Sequence, residues 1–316
     1  MENVKKMKRT TMKMAAVPLL IVLVTVVLQL GVLFVRRQDL LGGIFASETA
    51  DFLISSFSQM VAYLFSVLFV KYVMGNDLMR IKFRPRKSVN PVPLTLAAVA
   101  VIIGVSRFTA VFNDMFFGYF DSGLEQDIFE KYNIFVILIT TVIIPAFFEE
   151  LVFRGLILTN LLPHGRTFAI VVSGIIFGAI HGTVSQILFA TLAGIVLGWV
   201  YVETGSIWCG IFVHFINNLV SVCEGAIISA LPYTTAMKYV YIIEITVLLA
   251  GIASAFAAVS AVKRRKEQAT QNGFFGITPV TFRGSETSVG VKDGLTAFFN
   301  PVMIVFLLYS FLPIFL

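Results

Sequence analysis

The feature that most constrains the fold is a series of continuous apolar segments. After an apolar N-terminal stretch, they recur at roughly residues 53–74, 91–113, 134–161, 167–184, 186–202, 206–223 and 239–262. A helix needs about 20 apolar residues to cross the hydrocarbon core of a bilayer. Because lipid cannot satisfy free backbone groups, and because these runs do not alternate with polar residues, they predict helices and not a barrel. We therefore expect an all-α, polytopic transmembrane bundle of about eight spanning helices.

The composition and the N-terminus agree with a multi-pass membrane protein. Hydrophobic residues make up 58% of the chain and charged residues 13%, with a mean hydropathy of +0.90. The first apolar stretch is longer than that of a usual signal peptide, so we expect it to be retained as the first span. The net charge of +6 lies in short clusters between apolar segments, which favours membrane orientation over nucleic-acid binding. Cys209 and Cys223 predict small buried side chains and no disulfide scaffold.

Basic clusters predict the orientation of the bundle. They comprise Lys5, Lys6, Lys8, Arg9 and Lys13 before the first span, Arg80, Lys82, Arg84, Arg86 and Lys87 after the second, and Lys263, Arg264, Arg265 and Lys266 after the eighth. By the positive-inside rule all three clusters are cytoplasmic. The 114–131 loop carries five acidic residues against Lys131 alone, which suits the opposite side. We expect the N-terminus and the 263–294 tail in the cytoplasm of a cell-membrane protein.

The C-terminal region leaves two alternatives open. Residues 263–294 are polar and predict a mobile cytoplasmic tail. The final run, LTAFFNPVMIVFLLYSFLPIFL, is long enough for a possible ninth span, but Asn300, Pro301 and Pro313 weaken it, so an interfacial or packed segment is the alternative. The predicted organisation has four parts: N-terminal helices at 1–131, a core at 132–222, a further span at 223–262 and the tail with its hydrophobic end at 263–316.

Charge at membrane depth points to a site within the core. PAFFEELVFRGL, residues 145–156, places two glutamates and an arginine in an apolar run, and such groups usually face the bundle interior with a partner. Glu150 and Arg154 are four residues apart on one helical face and can pair, whereas Glu149 lies about 100° away and is left free of that pair. Pro145 removes one backbone hydrogen bond and predicts a kink nearby.

Two of the three histidines also lie in apolar segments. His164 lies in a turn-like stretch, LLPHGRT, and is predicted to be a solvated loop residue. His181 and His214 have no partner nearby in the sequence; either one alone is most simply bonded to a backbone carbonyl, but both together with Glu149 favour a site. His214 shares a helix face with Asn218, and Asn217 is close behind.

Stripes of small residues accompany the histidines in the apolar segments. Gly174, Gly178 and Gly182 repeat every four residues in one helix, as do Ala190, Gly194 and Gly198 in the next. Such stripes let membrane helices approach closely. We interpret them as packing surfaces, which also make a tight polar pocket feasible.

These polar groups indicate hydrolysis by an activated water. A carboxylate and an imidazole can deprotonate the water, while a second imidazole and an amide can stabilise the oxyanion. The simpler interpretation of the asparagines is that they form hydrogen bonds between helices. No serine or cysteine nucleophile motif and no HExxH occurs. Two Glu and two His can also bind zinc; we expect no required metal, because Glu150 is most simply committed to Arg154.

Three motifs in order resemble those of a known family. EELVFR (149–154), FGAIH (177–181) and HFINN (214–218) resemble the EExxxR, FxxxH and HxxxN/D motifs of the CAAX-protease and bacteriocin-processing family of intramembrane endopeptidases, which includes the type II CAAX prenyl proteases. The resemblance covers roughly residues 132–222. It implies a glutamate-dependent protease whose site opens toward the cytoplasm.

Carried onto this chain, the resemblance assigns roles to individual residues. It implies that Glu149 and His181 activate the water, that His214 and Asn218 form the oxyanion site, and that Glu150 and Arg154 support them; Phe177 and Asn217 stand within the motifs. The expected partners are the lipid bilayer and a peptide or protein substrate, prenylated or not, in CAAX-type maturation or bacteriocin immunity. The rival hypothesis is a non-catalytic transporter or immunity scaffold that uses the same polar residues.

The orientation can be tested by cysteine labelling in intact cells. In a chain whose Cys209 and Cys223 are replaced by alanine, Glu125→Cys should react with an impermeant thiol reagent from outside, because the acidic loop carries little positive charge to retain it. Ser288→Cys, in the tail, is the matched control and should react only after permeabilisation. Labelling of position 125 only from within would reverse the orientation.

Overall fold

The described part of the chain is helical, with no strand. The computed structural model describes residues 2–38, 47–75, 81–85, 90–117, 128–271 and 290–311. Its principal helices are α1 (Glu2–Arg37), α2 (Glu48–Phe69, continued by a π-helical turn, Val70–Met74), α3 (Pro91–Phe117), α4 (Ile134–His164), α5 (Arg166–Ala179), α6 (Val184–Thr204), α7 (Ile207–Ala230), α8 (Tyr233–Gln271), α9 (Val291–Phe298) and α10 (Pro301–Phe311). The all-α, multi-pass prediction is confirmed.

The segment predicted to span at 167–184 forms a shorter helix than expected. Seven helices within the described ranges are long and apolar enough to cross a membrane, and α5 is not among them. Its 14 residues rise about 21 Å, less than the roughly 30 Å of a hydrocarbon core. The described residues thus form seven spans, or up to eight if the bent α9–α10 pair is one span, in agreement with the prediction of about eight, but the segment at 167–184 is not one of them.

The early end of α5 has a local cause. The backbone N–H groups of His181 and Gly182 donate to the carbonyls three residues earlier, Gly178 and Ala179, which tightens the last turn. Gly182 then adopts φ +66°, a left-handed conformation that glycine reaches without steric cost. His181 therefore lies in the turn between α5 and α6, and Gly182 does not belong to the packing stripe in which the sequence placed it.

The other small residues do bring α5 and α6 together. A Cβ at Gly174 would come within 3.0 Å of the Ile195 backbone nitrogen, and a Cβ at Gly178 within 2.7 Å of the Ile187 carbonyl oxygen. A Cβ at Gly194 would meet Gly174 Cα at 3.1 Å. Backbone contact at these distances leaves no room for a side chain, so the two helices form a rigid hairpin at the centre of the bundle.

Helix α4 forms the centre of the core and is irregular in two places. Residues Leu138–Ile143 and Leu151–Leu158 are π-helical, and the α-helical turn Ile144–Glu150 between them carries both glutamates. Val152, Phe153, Leu156 and Ile157 are fully buried in the largest hydrophobic cluster. Widened turns of this kind are frequent at functional sites, and here one ends two residues before Pro145.

The C-terminal segment packs as a broken pair of helices. Helices α9 and α10 meet at 68° and pack against α1. Asn300 is fully buried at the break; its side chain accepts a hydrogen bond from the Met303 backbone N–H at 3.0 Å and so caps α10. Asn300 and Pro301 thus explain the bend. Pro313 and residues 272–289 of the predicted tail lie outside the described residues, as does most of the acidic loop, at 118–127.

Two predictions about single side chains are wrong. His164 is half-buried, not solvated, because its Nε2 lies 3.1 Å from Thr10 Oγ1 of α1. Cys223 is exposed and not buried, although Cys209 is buried as expected. Both differences depend on which helix packs beside the residue, and the local sequence does not determine that.

Close packing of α5 on α6 can be tested by adding one methyl group. Gly178→Ala should destabilise the protein by about 1–3 kcal/mol, because the new Cβ meets backbone atoms that cannot move aside. Thermal unfolding in detergent, followed by tryptophan fluorescence, measures the effect. Gly104→Ala is the control, since a Cβ there meets no atom within 4 Å; equal melting temperatures for the two variants would contradict the packing.

Candidate active site

One cavity brings the predicted site residues together. It has a volume of about 400 Å³ and lies between α2, α3, α4, α5, α6, α7 and the α5–α6 turn. Its lining includes Glu149, Phe177, His181, His214, Asn217 and Asn218. Glu150 and Arg154 are not in the lining but lie fully buried behind it. Three segments far apart in the sequence therefore meet at one cavity within the bundle.

The buried ion pair forms as the helical spacing predicts. Arg154 Nη1 donates to Glu150 Oε1 at 2.8 Å, and neither side chain is exposed. Arg154 Nη2 donates to the Gly194 carbonyl of α6 at 3.0 Å. His214 Nδ1 lies 3.0 Å from the same Glu150 Oε1. Because a carboxylate only accepts hydrogen bonds, His214 carries its proton on Nδ1, and Glu150 orients its ring.

Glu149 faces the cavity and has two neighbours. The Tyr63 hydroxyl of α2 donates to Glu149 Oε1 at 3.1 Å. His214 Nε2 lies 3.9 Å from Glu149 Oε2, beyond direct hydrogen-bond distance. Glu149 is thus outside the Glu150–Arg154 pair, as predicted, but it has a partner that sequence reasoning did not find.

His181 presents one ring nitrogen to the cavity. Its Nδ1 lies 2.8 Å from the Phe177 carbonyl oxygen, the backbone bond that is most common for a lone buried histidine. Since a carbonyl cannot donate, Nδ1 carries the proton, and neutral His181 has its lone pair on Nε2. The backbone bond therefore orients the imidazole as a proton acceptor and is compatible with a site.

Asn218 is held by a carbonyl that Pro145 leaves free. A proline at position 145 lacks the N–H that would donate to the carbonyl four residues earlier, that of Thr141. Asn218 Nδ2 donates to this carbonyl at 3.0 Å, and its Oδ1 accepts from Asn217 Nδ2 at 3.1 Å. One N–H of the Asn218 amide remains available at the cavity wall.

Phe177 is the aromatic wall against which the charged groups pack. Its ring centroid is 4.5 Å from the Arg154 guanidinium carbon, a cation–π distance. The rings of His181 and His214 lie edge-on to it, with centroids 5.0 and 5.9 Å away. Phe177 therefore fixes the spacing between the two imidazoles and covers the ion pair.

The residues that sequence reasoning missed come from outside the three motifs. Tyr63, Gln59 and the Thr141 carbonyl all reach site residues. The chain has nine tyrosines, and no spacing marks Tyr63 among them. The one available signal was Pro145, which frees the carbonyl four residues before it.

The side chains around the cavity do not fit a metal ion. Among the residues that the structure describes, no three His, Cys, Asp or Glu side chains are placed to hold one. Glu150 accepts from Arg154 and His214 and is thus committed within the protein. A catalytic zinc needs three protein ligands converging on one point, and the described residues do not bring three together.

Comparison with known proteins finds one family model that matches the region of the three motifs. Residues 131–220 match the family described as type II CAAX prenyl endopeptidase Rce1-like. In Bacillus subtilis, "Putative membrane peptidase YdiL" is 31% identical over 84 residues, 26% of this chain and 34% of that protein. "Uncharacterized protein YpbD" of the same organism is 30% identical over 110 residues, 34% of this chain and 54% of that protein.

The matched region is the helical core and not the whole chain. The matches span from about a third to about half of the length of these relatives. No solved structure gives a significant match. The matched residues begin just before α4 and end within α7, so they contain all three motifs and the cavity walls that carry them. Over this core, the multi-pass membrane chain described here is similar to the Rce1-like type II CAAX prenyl endopeptidase family.

Proposed function

We propose that this protein is an intramembrane endopeptidase in which Glu149 and His181 activate a water molecule. The observation that carries the proposal is the shared cavity, where a buried carboxylate, two imidazoles and an amide face one space of about 400 Å³. Ionisable groups at membrane depth cost a few kcal/mol each and are rare without a function. The family match over the core and the name of one relative support a protease.

The orientation of His181 supports its role as a base. With Nδ1 bonded to the Phe177 carbonyl, Nε2 of the neutral ring can accept a proton from a cavity water. Glu149 Oε2, which lacks the Tyr63 hydrogen bond, is the second acceptor. A water held between two acceptors has its oxygen lone pair directed away from both, toward a peptide carbonyl.

Charge balance supports His214 as an oxyanion donor. Ionised Glu149 and Glu150 carry two negative charges, and Arg154 supplies one positive charge. Protonation of His214 makes the four-residue cluster neutral, which lowers the cost of its burial. Protonated His214 donates from Nδ1 to Glu150, and its Nε2–H is then free for the oxyanion, beside the remaining N–H of Asn218.

The proposed reaction needs no covalent intermediate. The water oxygen attacks the peptide carbonyl carbon while a proton passes from the water to the Glu149–His181 pair, giving a tetrahedral oxyanion held by His214 and Asn218. Collapse breaks the C–N bond, and the same proton moves to the leaving amine. The products are a new carboxylic acid and a new amine, and the site returns to its initial protonation state; the acid then gives its remaining proton to the amine, so that the two termini leave as carboxylate and ammonium.

The proposed substrate is a peptide segment presented from the cytoplasm or the membrane interface. The predicted orientation places the N-terminus and the tail inside, and the resemblance implies a site that opens to that side. A prenylated protein processed at a CAAX-type sequence is the substrate that the family description names. Maturation of an unmodified peptide, or bacteriocin immunity, would use the same chemistry.

Removal of one carboxylate charge tests the proposal. Purified Glu149→Gln in detergent should lose at least about 100-fold in turnover, because an amide cannot accept the proton. Comparing membrane and secreted peptides of wild-type and Glu149→Gln cells supplies the substrate.

The matched control changes another intramembrane carboxylate. Glu224 pairs with Arg107 on α3, which is also paired with Glu244, so Glu224→Gln should keep full turnover. Undiminished activity of Glu149→Gln would remove the mechanism. A cell phenotype that survives both Glu149→Gln and Asn218→Ala would favour the rival, a transporter or scaffold.

Metal removal tests the same chemistry independently. Protein treated with a chelator, and shown by elemental analysis to be metal-free, should retain its turnover, because the proposed acceptors need only water. Stoichiometric zinc, with activity lost on chelation and restored by zinc alone, would make this a metalloprotease and would make His214 a ligand.

A further inference from the structure

Helix α2 lies outside the family match at 131–220, yet it touches the proposed water-activating carboxylate. We propose that Tyr63 is a positioning residue that holds Glu149 in the geometry needed to activate water, with Gln59 holding Tyr63 in turn. This inference rests on the proposed function of Glu149. It assigns to the less similar N-terminal part of the chain a direct share in the site.

The hydrogen bonds form a chain with a defined direction. Gln59 Nε2 lies 3.1 Å from the Tyr63 hydroxyl, which lies 3.1 Å from Glu149 Oε1. Ionised Glu149 can only accept, so the single hydroxyl proton of Tyr63 points to it. The Tyr63 oxygen then accepts from the Gln59 amide. Each donor has its acceptor, and the chain runs from the cavity wall through the core to the carboxylate.

Burial makes the Tyr63 hydroxyl bond effective. Tyr63 is only 3% exposed, so water does not compete for its hydroxyl, and a hydrogen bond to a charged group contributes more in such surroundings than at a surface. The ring is part of the largest hydrophobic cluster, which includes Val67 of α2 and Phe153 of α4. Packing on all sides therefore holds the hydroxyl in place.

The two carboxylate oxygens of Glu149 consequently have different tasks. Oε1 is held by Tyr63, and Oε2 is the oxygen on the His214 side, 3.9 Å from Nε2. A glutamate side chain has three rotatable bonds, and without a fixed oxygen it can leave the orientation that suits attack. Misplacement of a reacting group by about 1 Å can cost 100-fold in rate.

A conservative substitution separates positioning from packing. Tyr63→Phe keeps the ring and removes the hydroxyl, so it should lower kcat about 10-fold while KM stays unchanged. Tyr201→Phe is the matched control. Tyr201 lies on α6, is 1% exposed and is not part of the cavity lining. Its hydroxyl accepts a hydrogen bond from the Lys82 backbone N–H at 3.1 Å. Both variants lose one buried hydroxyl, but only Tyr63→Phe should lose turnover.

Infrared spectroscopy reads the same contact without any substrate. The carboxylate stretching band of Glu149 is the band that Glu149→Gln removes. It should shift in Tyr63→Phe and stay in place in Tyr201→Phe. Gln59→Met is the second variant, in case Tyr63→Phe does not fold, because the Gln59 side chain is exposed on the cavity wall. It should shift the band and lower kcat, but by less than Tyr63→Phe does.

The outcomes distinguish this inference from the proposed function. If Glu149→Gln remains active, the proposed function fails whatever the band does. If Glu149→Gln is inactive while folded Tyr63→Phe keeps full kcat and an unshifted band, the positioning role is overturned and the proposed function stands. An unshifted band and full kcat in Gln59→Met would overturn its share in the same way.

Discussion

The ion pair between Glu150 and Arg154 is the interaction on which the rest of the structure depends. Both side chains are fully buried, and a buried charge without its partner costs several kcal/mol. Arg154 therefore also donates to Gly194 of α6 and lies over Phe177 of α5, while Glu150 accepts from His214 of α7. Satisfying one pair of charges ties four helices together and orients a site imidazole.

Small residues allow this cluster to exist. A Cβ at Gly210 of α7 would lie 2.8 Å from Glu150 Oε2, and the glycine contacts between α5 and α6 bring Phe177 and Gly194 to the same side of α4. The early end of α5 then leaves room for a polar cavity where a full span would have filled the space with apolar side chains. The ion pair of Glu150 and Arg154 lies behind the cavity, whereas Glu149, His181 and His214 line it.

Irregular backbone supplies carbonyl groups that bind side chains of the site. The Thr141 carbonyl that Pro145 leaves without its usual donor binds Asn218, and the Phe177 carbonyl binds His181. In a membrane each such carbonyl needs a donor, because lipid offers none. The unsatisfied backbone groups and the site side chains therefore satisfy each other, and the same bonds set the tautomer of His181 and the direction of the Asn218 amide.

The fold class and six of the residues that line the cavity follow from local properties of the sequence. Long apolar runs require helices in lipid, and the i, i+4 spacing of Glu150 and Arg154 is a local geometry that any helix reproduces. The motifs also identified the residues that line the cavity, since charge at membrane depth is conspicuous in an apolar chain.

Only the tertiary structure decided the contacts between helices. The length of α5 depends on the left-handed conformation of Gly182 and on a tightened last turn, and neither can be predicted from an apolar sequence pattern. Glu150 bonds to His214 and Glu149 to Tyr63 across 64 and 86 residues of chain. Sequence periodicity does not predict these long-range contacts, because they depend on which helix faces pack together. The choice of faces depends in turn on the burial of charge and the backbone contacts of the whole bundle.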